Sequence, residues 1–173
     1  MYRGSFRTQT TRMKNWNYAS DAVYFVTICT HGRSAWFGDV VDAAIDHTTL
    51  GLVASHLWLE IPMHFQNVQC DEFIVMPDHI HGILKFDLPS SVETRHGASL
   101  RINQFGSLQQ HSLSLVINMY KGAVTRWCRR NAMEDFRWQS RFHERHIRST
   151  SELRRVRTYV RNNPIHHSLF DDA

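Results

Sequence analysis

Two rhythms of apolar and polar positions run along this chain. Residues 22–30 (AVYFVTICT) are β-branched and aromatic, which predicts a buried strand, with Gly32 and Gly38 marking turns after it. From Val41 to about Ile61 the apolar positions Val41, Ala44, Ile45, Leu52, Leu57 and Ile61 recur at roughly helical spacing. Gly51 interrupts that run and Pro62 ends it, so a bent helix is predicted. Val68 to Met76 predicts a strand, Pro77–Asp78 a turn, and His79 to Phe86 a second strand, together a hairpin. Residues 87–111, with Pro89, several serines, Gly97 and Gly106, predict a long loop, a feature that is usually functional in a small domain.

Ser112 to Asn131 is the most regular helix, with Leu113, Ile117, Tyr120, Val124 and Trp127 at spacings of three and four and Trp127 expected in the core. Residues 136–146 predict a short strand. Ser149 and Glu152 have the spacing of a capping box, and the helix they open is predicted to stop at Asn162–Asn163–Pro164. The order β-α-β-β-α-β-α predicts an α+β domain, an antiparallel sheet with helices packed on it.

Length and composition narrow the class. A chain of 173 residues suits one domain, and an apolar share of 42% excludes disorder by composition. The expected layout is a basic arm over residues 1–20 and a single domain over 21–170. No apolar run is long enough for a membrane helix, and the N-terminus lacks the apolar stretch of a secretory signal. Cys29, Cys70 and Cys128 are scattered and form no CxxC, which argues against a disulfide framework and for a reducing cytoplasm. Charge is polarised: residues 1–14 carry +4, residues 15–111 carry −6, residues 112–162 carry +8 and the tail carries −2. Such a distribution points to a polyanionic partner.

Three groups of residues carry candidate chemistry. His79 and His81 share one face of their strand, where two imidazoles can hold one divalent ion, while Asp78 is expected to project to the other face unless the turn re-aims it. With twelve histidines in the chain, a chance His-x-His stays open. Tyr120 lies at the centre of its helix's apolar stripe. It reads either as a core tyrosine or, if that stripe packs on the histidine face, as a phenol beside a cation. Basic residues interleaved with aromatics are what single-stranded nucleic acid binding uses. The candidates are Arg12 and Lys14 in the arm, Lys121 and Arg126 on the Tyr120 helix, Arg141 beside Trp138 and Phe142, and Arg154, Arg157 and Arg161 along one stripe of the last helix.

The stretches Tyr24–Thr30, Phe37–Gly38 and Val75-Met76-Pro77-Asp78-His79-Ile80-His81-Gly82, then Tyr120–Lys121, Trp138 with Arg141–Phe142, and Tyr159 through Pro164, resemble the single-tyrosine HUH transposases. The closer likeness is to the REP-associated tyrosine transposases, from about Asn17 to Leu169. The resemblance implies a ferredoxin-like antiparallel sheet flanked by helices. It implies Mg²⁺ or Mn²⁺ on His79 and His81, and Tyr120 attacking a phosphate of single-stranded DNA to form a 5′-phosphotyrosine. It also implies palindromic, hairpin-forming DNA as partner, acted on by a monomer or homodimer. One departure stands out. Such enzymes place a polar ligand, often Gln, one turn after the tyrosine, and here that position is Val124, with Thr125, His143, Glu144 or His146 as possible substitutes. Tyr159 is a second candidate nucleophile. Two other functions compete: a hairpin-binding relative that does not cleave, and a small hydrolase whose His pair activates water on zinc.

Overall fold

The structure, a computed structural model, describes residues 22–87 and 112–168, with side chains to Pro164. The arm 1–20 with Arg12 and Lys14, nearly all of the loop 87–111, and the end of the domain at 170 lie outside the described residues.

The main sheet has four antiparallel strands: β1 (Ala22–Cys29), β4 (Val68–Met76), β5 (His79–Phe86) and β6 (His143–Ile147), in the order β4-β5-β1-β6. Together with α1 (Thr49–Leu59) and α3 (Leu113–Arg130) it makes the ferredoxin-like arrangement. Register sorts the side chains into two faces. Tyr24, Val26 and Ile28 pair with Leu84, Gly82 and Ile80 on one face; Phe25, Thr27 and Cys29 pair with Ile83, His81 and His79 on the other.

The first face is apolar along β1 and β5, and it holds the core. Tyr24, Val26, Ile28, Ile80 and Leu84 pack with Ala54 and Trp58 of α1 and with Val116, Ile117, Tyr120 and Val124 of α3. Gly82 permits α1 to approach closely, since a Cβ there would sit 2.2 Å from Trp58 Cζ2. Trp127 is half-buried at the edge of this layer rather than inside it. A fourth helix, α4 (Thr150–Ser168), lies on the second face. Half of the predicted capping box forms at its start, where the Ser149 hydroxyl accepts from Glu152 N–H at 3.1 Å, while the Glu152 carboxylate accepts instead from Arg148 N–H, one residue earlier, at 3.0 Å.

Two boundaries differ from the sequence expectation. The bent helix expected over 41–61 begins only at Thr49. Before it, β2 (Gly38–Val41) and β3 (Ala44–His47) form a small hairpin. Its two turn residues, Asp42 (φ 49) and Ala43 (φ 58), are both left-handed, as a tight two-residue hairpin requires. Thr48 then caps α1 by accepting from Gly51 N–H at 3.1 Å. Pro62 does not end a helix but sits in the first turn of a short second one, α2 (Ile61–His64), where its missing N–H is not needed. Likewise α4 does not stop at Asn163; Pro164 lies inside it. Proline removes one hydrogen bond and kinks a helix without necessarily ending it.

Candidate metal and tyrosine site

The hairpin Met76–His79 aims the site. Thr30, just past β1, donates its N–H to the Asp78 carbonyl at 2.9 Å, and its hydroxyl lies 2.8 Å from the Ser34 carbonyl and 2.9 Å from that of Asp78. The Asp78 side chain turns back to the His79 ring. Its Oδ1 accepts from His79 Nδ1 at 2.5 Å, and its Oδ2 meets Arg33 Nε at 2.7 Å. Burial pushes the Asp78 carboxyl up, but the hydrogen bond from His79 and the charge of Arg33 outweigh it and hold the group below the usual carboxylate range.

His79 and His81 are both buried, and their Nε2 atoms converge to 3.1 Å. His81 Nδ1 lies 2.9 Å from the Thr27 hydroxyl, and its ring packs on Phe25 with centroids 5.2 Å apart. Burial lowers the His81 imidazole to about 3, which keeps it neutral near pH 7. Each ring therefore has its Nδ1 tied to an outer partner and its Nε2 turned toward the other ring, the second-shell pattern of metal-ligating histidines.

A tyrosine stands over this pair, and it is Tyr159 of α4. Its hydroxyl lies 3.5 Å from His81 Nε2, its ring packs on both His81 and Phe25, and it remains 45% exposed. Tyr120 is elsewhere. Its hydroxyl donates to the Ala54 carbonyl at 2.9 Å, its ring meets Trp58 edge-on, and burial raises its pKa well above the ordinary phenol value. Because α3 packs on the apolar face, the sheet lies between Tyr120 and the histidines. The expectation that Tyr120 meets the His pair is corrected by this packing.

The second correction concerns a further ligand. One turn beyond Tyr159 stands Asn163, a buried polar residue. From Arg157 near Lys85 to Tyr159 at His81, α4 runs against the direction of β5, so four more residues, about 6 Å of rise, carry Asn163 toward the His79 end. Of the substitutes considered from sequence, Glu144 and His146 pair with Val26 and Tyr24 and so belong to the opposite face, while His143 pairs with Thr27 on the histidine face. Among the described residues no cluster of three His, Cys, Asp or Glu could hold an ion. What does converge here is two imidazole nitrogens and the Tyr159 phenol oxygen, a nitrogen and oxygen set that suits a hard or borderline divalent cation.

The candidate DNA-binding residues separate. Arg157 Nε and Nη2 donate to the two Asp71 oxygens at 2.8 and 2.6 Å, and Arg161 Nη2 donates to Glu72 Oε1 at 2.5 Å. Both arginines fasten α4 to a bulge in β4 between Cys70 and Phe73. Arg154 on the same helix is exposed, and so is Arg141. Lys121 donates to the Gln139 carbonyl at 2.6 Å and lies over the Trp138 ring, and burial lowers its pKa; Arg126 is exposed. Both belong to α3, across the sheet from the histidines. Sequence reading missed Thr27, Arg33 and Asn163. The period-two alternation of β1 could have found Thr27, and the spacing from Tyr159 could have found Asn163.

No protein-family model matches this chain. A protein of Haemophilus influenzae (strain ATCC 51907 / DSM 11121 / KW20 / Rd), itself uncharacterized, is 31% identical over 165 residues, 94% of this chain and 91% of that protein. Among solved structures, a REP-associated tyrosine transposase bound to a REP hairpin is similar with a TM-score of 0.61 at 19% identity, covering 90% of this chain and 74% of that one. No described helix is long and apolar enough to cross a membrane. This chain belongs to one family with the H. influenzae protein, and its architecture is that of a REP-associated tyrosine transposase, in agreement with the resemblance carried by residues 75–82.

Proposed function

We propose that this chain is a transposase-type enzyme of the cytoplasm that nicks and rejoins hairpin-forming single-stranded DNA, with Tyr159 as the nucleophile and His79 and His81 as holders of Mg²⁺ or Mn²⁺. The observation that carries it is the Tyr159 hydroxyl, half-open to solvent and 3.5 Å from His81 Nε2 on the face where the two imidazoles converge. Asn163, one turn on, takes the place of the polar ligand that Val124 could not supply.

A phenol is a weak nucleophile at neutral pH, so activation falls on the phosphate. His79 and His81 would hold a divalent cation, which when bound would supply Lewis-acid charge to the phosphate. The remaining work belongs to the chain. His81 and Phe25 fix the Tyr159 ring, and its oxygen attacks phosphorus as the phenolic proton leaves. The P–O3′ bond breaks, the departing oxygen takes up a proton as a 3′-hydroxyl, and the 5′-phosphate stays on tyrosine. Attack by a 3′-hydroxyl reverses the sequence, so bond energy is conserved. Exposed Arg154 and Arg126, with Arg12 and Lys14 of the arm, hold backbone phosphates. The hairpin in the solved transposase is the model for the substrate class.

Incubation with palindromic single strands and Mn²⁺, read on a denaturing gel, tests this. Wild-type protein and Tyr120→Phe should give a linked protein–DNA species, and Tyr159→Phe should give none while still binding DNA. An undiminished adduct in Tyr159→Phe would overturn the assignment. Hairpin binding without any nick by the wild type would favour the non-cleaving alternative.

A further inference from the structure

Between β1 and β2 the chain turns through Gly32 (φ 65) and Arg33 (φ 56), two left-handed residues in succession. Glycine adopts that region freely, whereas an arginine brings its Cβ against its own backbone there. Hydrogen bonds pin the turn. His31 N–H donates to the Arg137 carbonyl at 2.9 Å, and the Thr30 hydroxyl lies 2.8 Å from the Ser34 carbonyl. Arg33 is thereby laid against the end of the Met76–His79 hairpin. Its Nε donates to Asp78 Oδ2 at 2.7 Å and its Nη1 to Cys29 Sγ at 3.1 Å, while Asp78 Oδ1 holds the His79 ring. Arg33 Nη2 has no partner among the described residues, and 53% of the side chain meets solvent.

A left-handed backbone costs an arginine about as much as a half-exposed ion pair contributes, so contact with Asp78 leaves little net gain in folding. Other cations near the sheet are already engaged. Arg157 and Arg161 bind Asp71 and Glu72, and Lys121 binds the Gln139 carbonyl. Among the described residues, Arg33 is the cation bonded to a group that itself holds one of the two imidazoles. With Nε and Nη1 clamped, Nη2 keeps a fixed direction beside the site, the preorganisation that charge-assisted recognition of a phosphate uses. We propose that Arg33 is a DNA-binding residue whose Nη2 donates to a backbone phosphate flanking the nicked bond, at the His79 end of the site. This rests on the strand-nicking reading and adds a substrate contact to it; Arg33 takes no part in making or breaking bonds.

Binding of a fluorescent palindromic single strand in EDTA, followed by anisotropy over a salt series, tests the contact apart from any cation. Arg33→Gly removes the guanidinium and relaxes the turn. It should weaken binding by about fivefold or more at low salt. It should also flatten the slope of log K against log salt by about 0.7, the value of one phosphate contact on a single strand. Arg33→Lys keeps the charge without the fork and should keep the slope. A residue that only braced Asp78 and His79 would leave affinity and slope in EDTA at wild-type values and lower Mn²⁺ affinity in calorimetry; that result overturns the proposal. If Arg33→Gly does not fold, Arg33→Asn, which also accepts the left-handed region, is read in its place. Failure of both to fold would overturn the proposal too, since the side chain would then serve the fold. Wild-type binding that depends on Arg33 but yields no covalent product would keep this contact and sink the nicking reading. A wild type that binds no strand would sink both.

Discussion

Helix α4 carries Tyr159, so what holds α4 to the sheet determines whether the proposed nucleophile stays in place. The fastening is largely ionic. Asp71, with a side chain only 7% exposed, accepts two guanidinium N–H groups from Arg157, one ammonium from Lys85 at 2.6 Å and the Glu72 backbone N–H at 2.8 Å. The Arg157 hydrogen bonds, opposed by burial and helped by Lys85, hold the Asp71 carboxyl far below the ordinary range. Replacing Arg157 with Met keeps the aliphatic stem and deletes both bonds. Removing one partner of a fully buried pair costs about 3–5 kcal/mol. Here a third of the Arg157 side chain meets water and Lys85 stays, so about 2 kcal/mol is expected. That corresponds to a fall in Tm of roughly 4–8 °C at this chain length. Because folding depresses the Asp71 pKa, its contribution is full above the unfolded value near 4 and declines as pH falls below it. Thermal melts of wild type, Arg157→Met, Asp71→Asn and the double variant at pH 7 and pH 3 measure this. The double variant should cost less than the sum of the singles, and the gap between wild type and Asp71→Asn should narrow at pH 3. Strict additivity, or a gap that does not change between the two pH values, would refute the account of how α4 is held.

The packing around the sheet has further consequences. Tyr120→Phe removes the hydrogen bond to the Ala54 carbonyl and should cost about 1 kcal/mol in a denaturant melt, with no loss of covalent product. Gly82→Ala places a methyl group against the Trp58 ring and should destabilise by about 1–3 kcal/mol, read as a lower denaturation midpoint at unchanged slope. Chelation by EDTA should abolish nicking and leave hairpin binding in place, and that binding, measured by fluorescence anisotropy, should weaken steeply as salt rises.

Much of the scaffold was legible because its signals are local. The apolar run of β1, the Pro77–Asp78 turn between β4 and β5, the stripe of α3 and the Ser149–Glu152 cap all predicted elements that form. What escaped depended on partners distant in sequence or on unusual residues. The β2–β3 turn uses Asp42–Ala43 with both residues left-handed, and alanine there sends none of the signal that glycine or asparagine would. Arg157 and Arg161 read as a nucleic-acid stripe because Asp71 and Glu72, their partners, lie 86 and 89 residues away.

The identity of the site tyrosine is the most instructive case, because the deciding information was present in the residues. A helix stripe made of Leu113, Ile117, Tyr120 and Val124 needs an apolar partner. β1 and β5 each offer one apolar face, bearing Tyr24, Val26 and Ile28 on one strand and Ile80 and Leu84 on the other. The opposite face interrupts Phe25 and Ile83 with Thr27, His79 and His81, and so offers that stripe no continuous apolar surface. Hydrophobic matching therefore sends α3, and Tyr120 with it, away from the imidazoles. Helix α4 has the complementary character: it buries Val160, Asn163 and Pro164, leaves Tyr159 partly in water, and pins its flank with two arginines. The proposed nucleophile, which would meet a solvated phosphate and then release it, suits a helix of that second kind. The i+4 partner makes the same distinction, Val124 beneath Tyr120 and Asn163 beneath Tyr159.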